Sequence, residues 1–118
     1  MVLDCEDPRR LAGFYSVLLG QPVTFDDGGW VVVSADTTTS GLAFQRVERH
    51  VTPAWPDPDR PQQVHLDVMV DDLDQADAEV RALGATRLEG GDHVYADPAG
   101  HPFCLVPRPR WAAPVARE

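Results

Sequence analysis

Two stretches of the chain carry apolar residues at helical spacing, and short strand-like runs bracket each of them. Leu11, Phe14, Tyr15, Leu18 and Leu19 recur three and four residues apart, the spacing that lines one face of a helix. Asp7-Pro8 ahead of them supplies an N-cap carboxylate and a proline at the first helical position, and Gly20 closes the helix. A second helix is predicted from about Leu73 to Leu83, capped by Asp72 and ended by Gly84. Around the first helix the pattern predicts strands at 1–5, 22–25, 30–34 and 41–47, with Asp26-Asp27-Gly28-Gly29 as a turn. Around the second it predicts strands at 63–70, 85–88, 93–96 and 102–106, with turns at Gly90-Gly91 and at Asp97-Pro98-Ala99-Gly100.

Each half therefore reads βαβββ, and the halves overlay at a nearly constant offset. Asp72 follows Asp7 by 65 residues, Gly84 follows Gly20 by 64, and His93 follows Trp30 by 63. A steady offset across cap, helix end and hairpin is what a duplicated supersecondary unit produces. Module one spans 1–47 and module two 63–106. The linker between them, 48–62, holds Pro53, Pro56, Pro58 and Pro61 and reads as extended. Residues 107–118, with Pro109 and Pro114, read as a tail outside the core.

Composition narrows the function classes. The 118 residues are 43% hydrophobic, enough for one globular domain spanning 1–106. The net charge is −9 and every basic residue is arginine, so nucleic acid and anionic membrane surfaces are excluded as partners for want of a basic stripe. No apolar run reaches the roughly 20 residues of a membrane span, and no basic leader precedes Val2. Cys5 and Cys104 are too few for a disulfide scaffold or a cysteine-based zinc site. A cytoplasmic protein is expected.

Four segments together resemble the glyoxalase-like branch of the vicinal oxygen chelate superfamily. They are Leu3-Asp4-Cys5-Glu6-Asp7-Pro8 leading into Phe14-Tyr15-x-x-Leu18-Leu19-Gly20, then Leu42-Ala43-Phe44-Gln45-Arg46-Val47, then His65-Leu66-Asp67-Val68-x-Val70-Asp71-Asp72-Leu73, and Asp97-Pro98-x-Gly100-x-Pro102-Phe103-Cys104-Leu105. The resemblance implies an α+β fold in which two βαβββ modules form a curved, cavity-enclosing mixed sheet with the helices outside. It also implies a homodimer, since relatives complete their open edges and cavity mouths with a second chain.

In metal-using relatives the ligands sit on the first and last strands of each module. Here the resemblance places His65 at one such position and Cys104, in place of a common Glu, at another. Strand 41–47 offers only Gln45, and the fourth position falls at or before Met1. A divalent ion needs three or four suitable donors, so no metal cofactor is expected.

Strand alternation then groups His65, Asp67 and Met69 on one face and Leu66, Val68 and Val70 on the other. The apolar set belongs against the helices, which leaves His65 and Asp67 facing the concavity, and the repeat offset sets Asp4 on the same surface as Met69. A histidine beside carboxylates can act as a general base with an orienting partner, so His65, Asp67 and Asp4 are the candidate catalytic residues. The same three residues also suit a purely structural role. Trp30, Phe44, Gln45, Met69, Tyr95 and Cys104 are the candidate ligand-binding residues. Cys104 has no basic neighbour in sequence to lower its pKa and reads as a small hydrophobe. His50, His93 and His101 read as exposed, and Asp57-Pro58-Asp59-Arg60 as a solvated loop. The expected activity is binding of an aromatic or antibiotic-like small molecule in a metal-free cavity. The alternative is a lyase or isomerase using His65 as base.

Overall fold

The computed structural model describes residues 1–54, 56–61 and 64–112. Gln62 at the end of the expected linker, Gln63 at the start of the expected strand, and tail residues 113–118 lie outside them. The elements run β1 (Val2–Cys5), α1 (Pro8–Leu19), β2 (Val23–Asp26), β3 (Trp30–Val33), β4 (Leu42–Arg46), β5 (Leu66–Val70), α2 (Leu73–Ala82), β6 (Thr86–Arg87), β7 (Val94–Ala96) and β8 (Pro102–Pro107). The protein is α+β with βαβββ order in both halves. Each module forms its own four-stranded mixed sheet, ordered β1-β4-β3-β2 and β5-β8-β7-β6. The outer pairs β1·β4 and β5·β8 are parallel and the remaining pairs antiparallel. The two sheets do not close into a barrel. No helix among the described residues is long and apolar enough to cross a membrane.

Local chemistry fixes the helix ends. The Asp7 carboxylate accepts from the Arg10 N–H at 3.2 Å, and Pro8 opens α1 where a missing N–H costs nothing. Gly20 ends the helix in the left-handed conformation at φ 65°, which lets its N–H reach the carbonyls of the last turn. In module two the Asp72 carboxylate accepts from the Gln75 N–H at 3.0 Å.

The core belongs to both modules. Leu11, Phe14 and Tyr15 of α1 are buried together with Val31, Val33 and Phe44 of the first sheet. Tyr15 stacks on Phe44 at 5.5 Å, while Phe14 and Tyr15 meet Phe103 of β8 edge-on at 5.7 and 6.4 Å. Phe103 in turn stacks on Tyr95 at 5.4 Å. The Tyr15 hydroxyl donates to buried Asp97 at 2.7 Å, and the other Asp97 oxygen accepts from the N–H groups of Ala99 and His101. Burial, followed by the Asp97 charge, drives the Tyr15 hydroxyl far above the usual tyrosine range. Two aromatic residues of one module are thus locked to a turn and a strand of the other.

Phe44 and Tyr95 require a correction. Sequence reading assigned both to the ligand cavity, yet each is fully buried in the shared core. Phe44 is in register with Leu3 and Val31, both core residues, so its side chain takes the α1-facing side of the sheet. Tyr95 is in register with Phe103 and stacks on it. Its hydroxyl donates to Asp77 of α2 at 2.5 Å, giving the one polar atom of a buried ring its partner.

Candidate functional site

The alternation along β5 appears in the structure as read. Leu66, Val68 and Val70 pack on the core, while Asp67 and Met69 face outward. The parallel pairing of β5 with β8 sets Asp67 directly beside Cys104, and the antiparallel pairing of β7 sets Cys104 beside Val94. His65, one residue ahead of β5, brings Nε2 to 3.2 Å from an Asp67 carboxylate oxygen. A histidine nitrogen, a carboxylate oxygen and the Cys104 sulfur then lie within 4.8 Å of one another. Burial, then the Asp67 charge and a hydrogen bond to it, raise the Cys104 thiol above the ordinary cysteine range. The thiol therefore holds its proton against Asp67, and a free thiolate nucleophile is disfavoured.

This cluster changes the donor count. His65 precedes β5 by one residue and Cys104 lies on β8, and Asp67 supplies a carboxylate that the count by strand positions left out. One nitrogen, one oxygen and one sulfur donor are the number and kind that zinc accepts when a fourth position stays open. Among the described residues it is the group of this kind that the fold assembles.

The module-one candidates form a different row. Asp4 is in register with Gln45, and Gln45 with Trp30, so the three run side by side across β1, β4 and β3. Asp4 also lines a cavity of about 590 Å³ between β1, the linker and the start of β8. Of the residues read from sequence as catalytic or ligand-binding, only Asp4 belongs to its wall. His65 and Asp67 are brought together with Cys104, and Asp4 serves a separate hollow.

Residues that sequence reading left on the surface build much of that hollow. His50 and His101 are half-buried rather than exposed, with ring centroids 4.8 Å apart, and Arg60 of the supposed solvated loop lines the same space. His101 Nε2 lies 2.6 Å from the Asp4 carbonyl and His50 Nε2 lies 2.9 Å from the Ala99 carbonyl. A carbonyl oxygen only accepts, so both Nε2 atoms carry protons. The two histidines tie linker to turn and turn to β1. The turn ahead of His101, closed by Gly100 at φ 88°, was the one sequence signal pointing there.

Comparison with known proteins bears on the fold. No curated protein shows a significant match. A glyoxalase/bleomycin resistance protein/dioxygenase family enzyme from Burkholderia phytofirmans superposes with a TM-score of 0.67 at 15% identity, covering 91% of this chain and 94% of that one. A glyoxalase-related enzyme from Fulvimarina pelagi gives 0.65 at 21% identity, covering 95% and 88%. A lactoylglutathione lyase from Agrobacterium tumefaciens gives 0.57 at 18% identity, covering 96% and 94%. The family described as "Glyoxalase-like domain" matches residues 1–106. By that match over nearly its whole length, the chain belongs to the glyoxalase-like domain family.

Proposed function

We propose that the protein binds a small, aromatic or antibiotic-like organic molecule in the cavity between β1 and the linker. The observation that carries this reading is the hollow itself. Its volume of about 590 Å³ falls within the range of roughly 300–1,000 Å³ typical of small-molecule sites. Val2, Val51 and Val64 give it apolar wall, while Asp4 and Asp59 with Arg49 and Arg60 add charged groups of both signs. The cavity is read as metal-free, because none of His65, Gln45 and Cys104, the donors at the ligand positions that the resemblance implies, lines it. A second copy of the chain is the proposed partner, covering Val23, Phe25 and Met69, large side chains that stand exposed.

A lyase or isomerase activity is the second reading, favoured by one observation. His65 and Asp67 sit 3.2 Å apart on a solvent-facing surface, the arrangement of a base and its orienting carboxylate. Titrating ¹⁵N-labelled protein with a panel of aromatic amines separates the two readings. Shifts clustered at Val2, Asp4, Val51, Val64 and His101 support the cavity. Shifts confined to His65, Asp67 and Cys104 favour the second reading, and no shift at millimolar amine overturns the first.

A further inference from the structure

We infer that the cavity between β1 and the linker takes an aromatic zwitterion of the amino-acid kind, with Arg49 and Arg60 holding its carboxylate and Asp4 and Asp59 its ammonium. The inference rests on the cavity reading above and narrows it to one class of ligand. Its starting observation is how the cavity's charges are left. Elsewhere the chain pairs such groups: Arg9, Arg81, Arg87 and Arg108 meet aspartates at 2.9, 3.2, 3.3 and 2.7 Å. Asp4, Asp59, Arg49 and Arg60 line one hollow, yet among the described residues none of them has an ion-pair or side-chain hydrogen-bond partner. Both signs of charge therefore stay available to a ligand.

The backbone beneath these groups is held. The Arg60 carbonyl accepts from the Ala54 N–H at 3.0 Å, and the Arg60 N–H donates to the Asp57 carbonyl at 3.2 Å. The Asp59 N–H donates to the Asp57 carboxylate at 2.9 Å. Arg49 precedes His50, whose Nε2 donates to the Ala99 carbonyl. Thr52 packs so close to Gly100 that a Cβ there would collide with its side chain. On the opposite wall the Asp4 carbonyl accepts from His101 Nε2. Main chain is thus spent on structure and the charged side-chain ends are not, so ordering on binding is confined to rotamers.

Balance of charge then selects the ligand. The two carboxylates and two guanidiniums of the wall cancel, on a chain whose net charge is −9. A purely cationic ligand brings like charge against Arg49 and Arg60, and a purely anionic one brings it against Asp4 and Asp59. A molecule carrying both groups finds a partner for each. The planar guanidinium fork matches a carboxylate in a bidentate pair. His50 and His101 commit their Nε2 protons to carbonyls, which in the neutral ring leaves each Nδ1 an acceptor, suited to an ammonium. Val2, Val51 and Val64 supply apolar wall for the ring.

Three matched probes, titrated into the ¹⁵N-labelled full chain, separate the contributions. L-phenylalanine carries both charged groups, phenethylamine lacks the carboxylate, and phenylpropionate lacks the ammonium. Phenylalanine should bind about tenfold or more tighter than either, since charge-assisted hydrogen bonds are the strong ones. Its shifts should fall at Asp4, Arg49, Arg60 and His101. Arg49→Gln and Arg60→Gln should each shrink the preference for phenylalanine over phenethylamine, and Asp4→Asn its preference over phenylpropionate. Cavity binding of either single-charge probe as tightly as phenylalanine overturns the zwitterion while the cavity reading stands. A preference that survives all three substitutions does the same. Cavity resonances unmoved by every probe at millimolar concentration overturn both.

Discussion

The two modules share an architecture and divide the labour. With Asp7 aligned on Asp72, the row Val2, Ala43 and Val32 of module one corresponds to Asp67, Cys104 and Val94 of module two. The same three strand positions hold three hydrocarbon side chains in one copy and a carboxylate, a thiol and one hydrocarbon in the other. The helices differ in the same sense. α1 buries Pro8, Leu11, Ala12, Phe14 and Tyr15, whereas α2 buries only Ala76 and Val80. Where α1 places Ala12 against its sheet, α2 places Asp77, which accepts from the Tyr95 hydroxyl and pairs with Arg81 and Arg87. Duplication has let one copy supply the anchor while the other gathers polar chemistry.

The most damaging way to probe this division is to remove what the modules share. Phe103→Ala should cost about 3–5 kcal/mol, the usual range for emptying a buried aromatic site. Urea unfolding should remain a single transition by both circular dichroism and tryptophan fluorescence. Two separate transitions would show that the modules fold independently. Tyr15→Phe tests the polar half of the same joint. Removing the hydroxyl leaves a buried Asp97 oxygen without its donor, and chemical denaturation should register a loss of about 1–3 kcal/mol.

The Asp77–Tyr95 pin of module two should show in the pH dependence of melting. Burial, then the hydrogen bond to Asp77, pushes the Tyr95 hydroxyl up to about 12. Its contribution is complete below the unfolded tyrosine value of about 10 and fades as pH climbs through the folded one. Asp77 runs the other way. The Tyr95 hydrogen bond lowers its carboxyl, so its contribution is present above the unfolded carboxylate value and fades on acidification through the folded one. Tyr95→Phe should therefore flatten both limbs of the melting-temperature profile relative to the parent. Unchanged limbs would remove the pin as a distinguishing feature of module two. The smallest effect is expected at the donor row itself. His65→Ala and Asp67→Asn should leave the melting midpoint within the equivalent of about 0.5 kcal/mol, as surface substitutions do. A larger loss would make that row part of the scaffold.

Local features of this fold were legible in the sequence because local chemistry sets them. Asp7, Gly20 and Asp72 mark helix ends through hydrogen bonds to residues at most four positions away, and Pro8 does so by its fixed φ and missing N–H. The shared face of His65 and Asp67 follows from strand alternation alone. Cys104 beside Asp67 does not, since it depends on the parallel register of strands 37 residues apart. Alternation also says that a strand has two faces without saying which one meets a helix. Leu66 and Val68 resolve that ambiguity by being aliphatic, but an aromatic ring such as Phe44 or Tyr95 suits a cavity wall and a core equally well. The cavity was least legible of all, because His50 and His101 reach partners 49 and 97 residues away.

The joint between Tyr15 and Asp97 also sets a timetable for the newborn chain. Its two ends are separated by 82 residues. At ribosomal rates of about 5–20 residues per second, roughly 4–16 seconds pass between their syntheses. Through that interval Phe14 and Tyr15 have neither Phe103 nor Asp97 to pack on, and the aromatic ridge of α1 stays in contact with water or with a chaperone. Translation pauses anywhere between Tyr15 and Phe103 would lengthen that exposure.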